Sequence, residues 1–248
     1  MSQEKSEQVT PVRAIDPRWR TLCKTGAIAP LITLAFYLLE MFAIILGGMS
    51  GEPFPVTAGD WFSLLQRSRL LGLLYLNALD VFSIALLGIM FLALYMTLRQ
   101  THESYMVIAA FFSLLGVGMF VAVRADMAAA MLTLSDRYAV ATTELQMTQV
   151  LTAGEAVGSL VRATPETIGW FFMAIGSFII SIVMLQGETF NKAIAYVGIL
   201  GGIVTLIGRI AQFAAPSIAG AIMFPGALPW LIWWFLVSRG LLRLGKDI

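Results

Sequence analysis

Long apolar segments, nearly free of charged residues, alternate with short polar segments along this chain. A helix needs about 20 apolar residues to cross the hydrocarbon core of a bilayer. Six segments reach that length, at residues 25–48, 70–98, 105–123, 165–185, 190–215 and 226–244. The pattern therefore predicts six membrane-spanning helices, and the third of them can continue as helix to Leu134.

Prolines and a capping residue mark several ends of these spans. Thr164 is a good N-cap, because a proline and an acid follow it at the positions that favour a helix start. Pro216 ends the fifth span, since proline cannot continue the hydrogen-bond ladder of a helix. Pro225 and Pro229 interrupt the last apolar segment, so residues 218–224 can form a short segment of their own.

Two connections are longer than turns and carry apolar residues of their own. Residues 51–69 contain prolines followed by Asp60, Trp61 and Phe62, which is typical of a loop and a short helix in the membrane interface. Residues 136–163 show apolar positions at helical spacing, with polar residues on the other side. These apolar positions are Met147, Val150, Leu151, Gly154, Val157 and Val161. The pattern predicts an amphipathic helix that lies on the membrane surface or packs on the spans as a lid.

Composition excludes several classes of protein. Only 12% of the residues are charged, whereas soluble domains carry about 25%, so the apolar segments belong in a bilayer. The net charge of +1 and the absence of a basic patch exclude nucleic acid as a partner. Cys23 and His102 are the single cysteine and the single histidine, so neither an intrachain disulfide nor a zinc site built on several histidines can form. No cofactor and no metal are expected.

The distribution of Lys and Arg predicts the orientation. Ten of these 16 residues lie on the side of the N-terminus, and positive residues favour the cytoplasmic side. We therefore expect residues 1–24 to be a cytoplasmic tail without a cleaved signal peptide. Residues 25–248 form one six-span domain of the cell's inner (plasma) membrane. An even number of spans places both termini in the cytoplasm and the amphipathic helix, between spans three and four, on the periplasmic or extracellular side.

Polar and charged residues inside the spans form the candidate functional site. A charge there costs about 2.5–3.5 kcal/mol on insertion scales, so such residues are rare unless paired, hydrated or used. They come from four spans and all lie in the outer half of the membrane: Glu40, Asn77, Asp80, Arg124, Asp126, Arg209 and Gln212. This coincidence predicts a polar cavity open to the outside, in which Arg209 pairs with Asp80 or Glu40. The alternative is a set of ion pairs that fixes the register of the helices and binds nothing.

Two further patterns concern helix packing. Gly198 and Gly202 have a spacing that allows two helices to approach closely, either within the chain or between two copies of it in a homo-oligomer. Trp230, Trp233 and Trp234 are predicted to form an anchoring belt at the outer interface. The alternative for these tryptophans is an aromatic wall of a ligand site.

The segment at residues 164–208 has a recognisable order of motifs. A helix rich in Phe, Gly and Ser is followed by Met184-Leu185-Gln186, then by Phe190-Asn191-Lys192, then by Tyr196-Val197-Gly198-Ile199-Leu200-Gly201-Gly202. Together with the long span and basic turn at residues 73–99, this order resembles DUF4386, a prokaryotic family of multi-pass membrane proteins of unknown function. Asn191-Lys192 departs from the basic pair that the family usually has there. The resemblance implies a multi-pass membrane fold, and it brings no functional residues because the family has no established activity.

These observations favour an all-α, non-enzymatic membrane protein that binds a small ligand, a lipid or a partner helix in an outward-facing polar cavity. An ion- or proton-coupled transporter component is one alternative, although the sequence shows no internal repeat and no broken, paired helices. A second alternative is an intramembrane enzyme with Glu40 or Asp80 as general base, for which no second catalytic element is visible. The lipid bilayer is the expected partner in every case.

Overall fold

The computed structural model describes residues 17–49, 54–163 and 165–244, and within them every regular element is helical. A 3-10 turn at Pro17–Trp19 precedes the first helix. The α-helices are α1 (Arg20–Met49), α2 (Ala58–Arg67), α3 (Arg69–Tyr75), α4 (Asp80–Leu98), α5 (Glu103–Ala139), α6 (Glu144–Ala163), α7 (Pro165–Gln186), α8 (Lys192–Ala214) and α9 (Pro216–Leu244). Residues 1–16 and the predicted cap Thr164 lie outside the described residues.

Six of these helices are long and apolar enough to cross a membrane, namely α1, α4, α5, α7, α8 and α9. The all-α, multi-pass fold predicted from the apolar segments is therefore confirmed. The first helix begins at Arg20, earlier than the predicted start of the span, because the polar residues before Thr25 continue its helical turns. The third span also extends further than its apolar segment, since α5 runs to Ala139.

The six spanning helices pack as a ring in chain order. Each contacts the spanning helix before and after it, and α1 contacts α9, which closes the ring. Near the start of α1, the Cys23 Sγ lies 3.9 Å from the Thr97 Oγ1 at the end of α4. The Ser238 hydroxyl of α9 donates to the Ala27 carbonyl. The two ends of the described chain therefore lie at the same end of the ring, and α2 and α6 lie at the other, which we call the α2/α6 end.

The tryptophans of α9 belong to the core. Trp230, Trp233 and Trp234 are only 6%, 1% and 3% exposed. The ring of Trp230 lies edge-on to both of the others, with centroids 5.8 Å apart in each pair. The predicted anchoring belt was wrong. The three indole side chains pack between the spanning helices, where they bury more apolar surface than they would at the membrane interface.

The second span is broken, contrary to the continuous helix predicted for residues 70–98. Helix α3 ends at Tyr75, and α4 begins at Asp80 after a turn that spans residues 76–79. Asn77 holds a left-handed backbone with φ of 51°, a conformation that asparagine tolerates better than other residues with a side chain. Its N–H bonds to the Leu74 carbonyl, and the next N–H bonds to the Leu73 carbonyl. This pair of bonds is the Schellman arrangement that ends helices.

The last apolar segment, in contrast, is continuous. Residues 218–224 were predicted as a possible separate segment, but α9 runs from Pro216 through Pro225 and Pro229 without interruption. Pro216 stands at the first position of the helix, where its missing N–H costs nothing. The inner prolines are tolerated because neighbouring helices can compensate for a lost backbone bond inside a membrane protein.

Helix α5 connects the ring to α2 and α6. Its 37 residues correspond to about 55 Å, which exceeds the roughly 30 Å of the hydrocarbon core. The protruding part packs against α2 and α6. The Glu155 carboxylate of α6 accepts a hydrogen bond of 2.6 Å from the Ala58 N–H at the start of α2. Of the two interpretations of the amphipathic helix, this packing favours the lid.

A capping box fixes the start of α2. Thr57 accepts from the Asp60 N–H, and the Asp60 carboxylate accepts from the Thr57 N–H. The hydrogen bonds from Thr57, joined by one from the Val56 N–H, hold the pKa of Asp60 below its ordinary value of 3.8. The box orients α2, which carries Trp61 toward the site described below.

Glycines allow the closest helix contacts inside the ring. A Cβ at Gly198 would lie 2.1 Å from the Ser181 Oγ, and one at Gly202 would lie 3.1 Å from the Phe178 Cβ. Both glycines therefore serve the packing of α8 on α7 within one chain. The association of two copies through the same glycines stays a prediction.

A comparison of two glycines in α5 tests this packing. A Cβ at Gly116 would lie 2.5 Å from the backbone oxygen of Gly169 in α7, whereas a Cβ at Gly118 meets nothing within 4 Å. We expect Gly116→Ala to lower the free energy of unfolding by about 1–3 kcal/mol, because backbones must separate. Gly118→Ala should be neutral or stabilising by up to about 1 kcal/mol. Thermal unfolding of the purified protein in detergent measures both, and equal midpoints for the two variants would contradict the helix contact.

Candidate functional site

The break in the second span exposes backbone groups that need partners. The first N–H groups of a helix have no carbonyl to bond within it, and Leu79 at the N-cap of α4 has no side chain that can accept. Glu40 of α1 fills this role. Its Oε1 accepts from the Leu79 N–H at 2.9 Å, and the carboxylate also accepts from the Asp80 N–H. A carboxylate at this place also interacts favourably with the helix dipole.

Two more charged side chains complete a cluster around the break. Arg124 of α5 donates from Nη1 to the Leu76 carbonyl at 3.2 Å, which satisfies a backbone acceptor in the turn. Asp80 accepts from the Ser83 hydroxyl at 3.2 Å. The charges of both Asp80 and Arg124 act on the Glu40 carboxyl. All three charged side chains are buried, at 3% exposure for Glu40 and 8% for each of the others. We call them the break cluster.

A cavity of about 200 Å³ lies beside the break cluster. We call it the break cavity, and its described lining residues are Phe54, Pro55, Trp61, Tyr75, Leu76, Asn77, Arg124, Met127, Met131 and Gly158. The polar side of this lining is formed by Asn77 and Arg124. The remaining walls are aromatic rings, methionines and one residue of the lid helix α6. A lining with one polar side and several apolar walls is typical of small-molecule sites.

A second cavity, of about 100 Å³, lies between α1, α7, α8 and α9. We call it the tryptophan cavity, and its described lining residues are Tyr37, Trp170, Val204, Thr205, Arg209, Gly226, Ala227, Trp230, Leu231 and Trp234. The Arg209 guanidinium lies 5.7 Å from the centre of the Trp170 ring. It also donates to the Gln212 amide oxygen, which accepts a second bond from the Thr167 hydroxyl.

The structure divides the seven predicted site residues into three sets. Glu40, Asn77, Asp80 and Arg124 come together at the break. Arg209 and Gln212 form a second set at the tryptophan cavity. Asp126 is brought to neither, since it is exposed on α5 while Arg124 is buried. Two residues along a helix are about 200° apart around its axis, so the spacing of this pair already indicated opposite faces.

Several lining residues escaped the sequence analysis. Phe54, Tyr75, Met127 and Met131 line the break cavity, but an apolar residue in an apolar segment carries no signal of a site. The charge of Arg124 acts on Glu40, and the predicted pairing of Arg209 with Asp80 or Glu40 stays a prediction.

Tyr37 links the two regions. It lines the tryptophan cavity, and the charges of Asp80 and Glu40 both act on its hydroxyl group. Tyr37 therefore connects the tryptophan cavity with the acids of the break cluster.

Residues 32–240 match the family model described as a domain of unknown function, DUF4386. The chain belongs to the DUF4386 family. No curated protein and no solved structure matches it. The DUF4386 match begins within α1 and ends within α9, so it contains the break cluster and both cavities. Its description assigns no activity, and the function of the site has to be argued from the geometry.

Substitution of Asn77 tests the left-handed turn at the break. Glycine adopts this backbone without a steric penalty, whereas a β-branched residue does not. We expect Asn77→Gly to keep the thermal midpoint within a few degrees of wild type. Asn77→Val should lower the free energy of unfolding by about 1–3 kcal/mol. If valine were tolerated as well as glycine, the left-handed backbone at residue 77 would be contradicted.

Proposed function

We propose that this DUF4386 protein binds a small ligand or lipid in the break cavity and carries out no chemistry on it. The observation that carries the proposal is the cavity itself, which joins a polar side to aromatic and methionine walls. Its volume of about 200 Å³ is several times the roughly 30 Å³ share of one water molecule. A ligand with a compact polar group and a short apolar part would fill it.

The polar side of the break cavity suits a group that both donates and accepts hydrogen bonds. The Asn77 amide makes no hydrogen bond with any described residue and can do both. Arg124 supplies donors, but its charge is shared with the nearby acids of the break cluster. A neutral or zwitterionic polar group is therefore favoured over a strong anion, since Arg124 already interacts with the break cluster.

The lid helix α6 supports a bound occupant. Gly158 of α6 lines the cavity, and the hydrogen bond from Ala58 to Glu155 attaches this helix to α2. Phe54 packs edge-on to Trp61 and stacks on Tyr75, so one aromatic group extends from α3 to α2. These contacts give the cavity preformed walls, which reduces the entropic cost of binding.

Transport stays an alternative prediction. The break between α3 and α4 resembles the discontinuous helices of transporters, whose helix ends face ions or substrates. Such helices usually come in pairs from two repeats, and among the predicted spans within the described residues only the second, residues 70–98, is interrupted. Ligand binding without coupled movement is therefore the proposal that the geometry favours.

Mass spectrometry of the protein in discs of its native membrane tests binding. We expect wild type and Phe82→Ala, an exposed aromatic control at 65% exposure, to retain the same bound small molecule or lipid. Asn77→Gly removes one hydrogen-bonding group and Met131→Phe fills part of the cavity. Each should lower occupancy about fivefold or more, as expected for a loss of about 1 kcal/mol. Equal occupancy in all four proteins, or no bound molecule in any, would reject the proposal.

We also propose that the protein lies in the inner (plasma) membrane with both termini in the cytoplasm, so that the break cavity faces outward. The excess of Lys and Arg on the side of the chain ends supports this orientation. With Cys23 replaced by serine, Thr142→Cys, in the exposed connection between α5 and α6, should react with a membrane-impermeant maleimide added to intact cells. A cysteine at Gln100 should react only after the cells are opened. The reverse pattern would invert the orientation.

A further inference from the structure

The volume of the break cavity indicates the size of its ligand. A cavity of about 150 Å³ with apolar walls holds one benzene molecule, and the break cavity measures about 200 Å³. It therefore has room for one ring with a small substituent, whereas a lipid acyl chain is much longer than such a ring. We propose that the ligand is a neutral aromatic carboxamide of one ring, whose amide group pairs with Asn77. This inference rests on the proposed function and names the chemical class of the ligand for the same cavity.

The Asn77 side chain carries the first step. Its amide holds an acceptor oxygen and an NH2 donor in one plane, and neither forms a hydrogen bond with any described residue. Glycine would serve the left-handed turn at least as well, so the backbone alone does not require this amide. A ligand in the cavity covers the half-buried Asn77 side chain and has to replace its hydrogen bonds to water.

A carboxamide is the complement of the Asn77 amide. It offers one donor and one acceptor side by side, so two parallel hydrogen bonds can form, as between an asparagine and the edge of adenine. An ester or a phosphate offers acceptors alone, and the Asn77 oxygen would stay unpaired beside it. Such a ligand should bind roughly fivefold or more weakly. A carboxamide is also uncharged, so its burial requires no partner of opposite charge.

Three aromatic rings in the walls of the cavity carry the second step. Phe54 stacks on Tyr75 with ring centres 5.8 Å apart and lies edge-on to Trp61 with ring centres 5.6 Å apart. The Tyr75 side chain is 3% exposed, and its hydroxyl oxygen lies 3.5 Å from the Ile44 carbonyl oxygen of α1, so its ring is held between helices. An aromatic ligand adds edge-on or offset-stacked contacts to these rings, which a saturated chain cannot make.

Two methionines of α5 form another part of the wall. Met127 and Met131 are 7% and 2% exposed, and both line the cavity, because residues four positions apart lie on the same face of a helix. A thioether sulfur makes favourable contacts with the edge of an aromatic ring. Both kinds of wall, the aromatic rings and the sulfur atoms, therefore favour an aromatic ligand over an aliphatic one.

Fluorine NMR tests the ligand class, with para-fluorobenzamide as the probe. The purified protein in lipid discs is titrated with this probe, and empty discs report how much of it enters the lipid. We expect saturable broadening of the fluorine signal in wild type, which unlabelled benzamide reverses. Para-fluorotoluene lacks the amide and should bind about tenfold more weakly. Cyclohexanecarboxamide lacks the aromatic ring and should displace the probe about twofold to tenfold less well than benzamide does.

Variants separate the contribution of the amide from that of the rings. Asn77→Gly keeps the left-handed turn and should weaken para-fluorobenzamide about tenfold without changing para-fluorotoluene, so that the two probes bind alike. Trp61→Leu should weaken both probes to a similar extent, about twofold to tenfold. Phe82→Ala is the matched control, since it removes an aromatic ring that is 65% exposed on α4, and it should bind both probes as wild type does.

Three results would overturn the inference: no saturable broadening in wild type, equal affinity of wild type for the two probes, or an unchanged preference for the amide in Asn77→Gly. If Asn77→Gly does not fold, the comparison of the two probes in wild type decides the matter. The bound molecule found by mass spectrometry separates this inference from the proposed function. A lipid whose binding depends on Asn77 would keep the proposed function and reject the aromatic carboxamide, whereas an aromatic amide would support both.

Discussion

The first backbone N–H groups of a spanning helix need hydrogen-bond partners, and this constraint governs the turn between α3 and α4. Because lipid offers no hydrogen bonds, an interruption of a helix is tolerated only where protein or water replaces the lost contacts. Here the replacement comes from two neighbouring helices. Glu40 accepts from the N–H groups at the start of α4, and Arg124 donates to the Leu76 carbonyl. The charged residues thus make the interruption stable, and the interruption in turn forms one wall of the break cavity.

The sequence left two alternative roles for the charged residues inside the spans. Charged residues inside spans could fix the register of helices or could line a ligand site. In the break cluster the same side chains hold α1, α4 and α5 in register, while Arg124 also faces the cavity. A structural role and a binding role are therefore compatible here, because Arg124 donates to the Leu76 carbonyl and also lines the cavity.

The sequence predicted the features that follow from the large free-energy cost of placing polar groups in a membrane or apolar groups in water. Apolar segments of sufficient length identified the spans, and the cost of burying charge identified Glu40, Asp80 and Arg124. It could not predict the turn at Asn77, because a single polar residue in an apolar segment is compatible with an unbroken helix. It also could not predict the aromatic lining of either cavity. Whether Trp61 or Trp230 faces lipid, core or cavity depends on the angles between helices, which hydropathy alone does not encode.

The contact between α1 and α9 has a consequence for biosynthesis. Translation produces α1 before α9, so the surface of α1 near Ala27 has no partner until α9 has been made. During that interval this surface of α1 faces lipid or the insertion machinery, and the ring of spanning helices is open between α1 and the missing α9. The contact between α1 and α9 joins the two described spans that are farthest apart in the sequence. The entropic cost of bringing such distant segments together is high. The ring of spanning helices can therefore close only after α9 has been inserted.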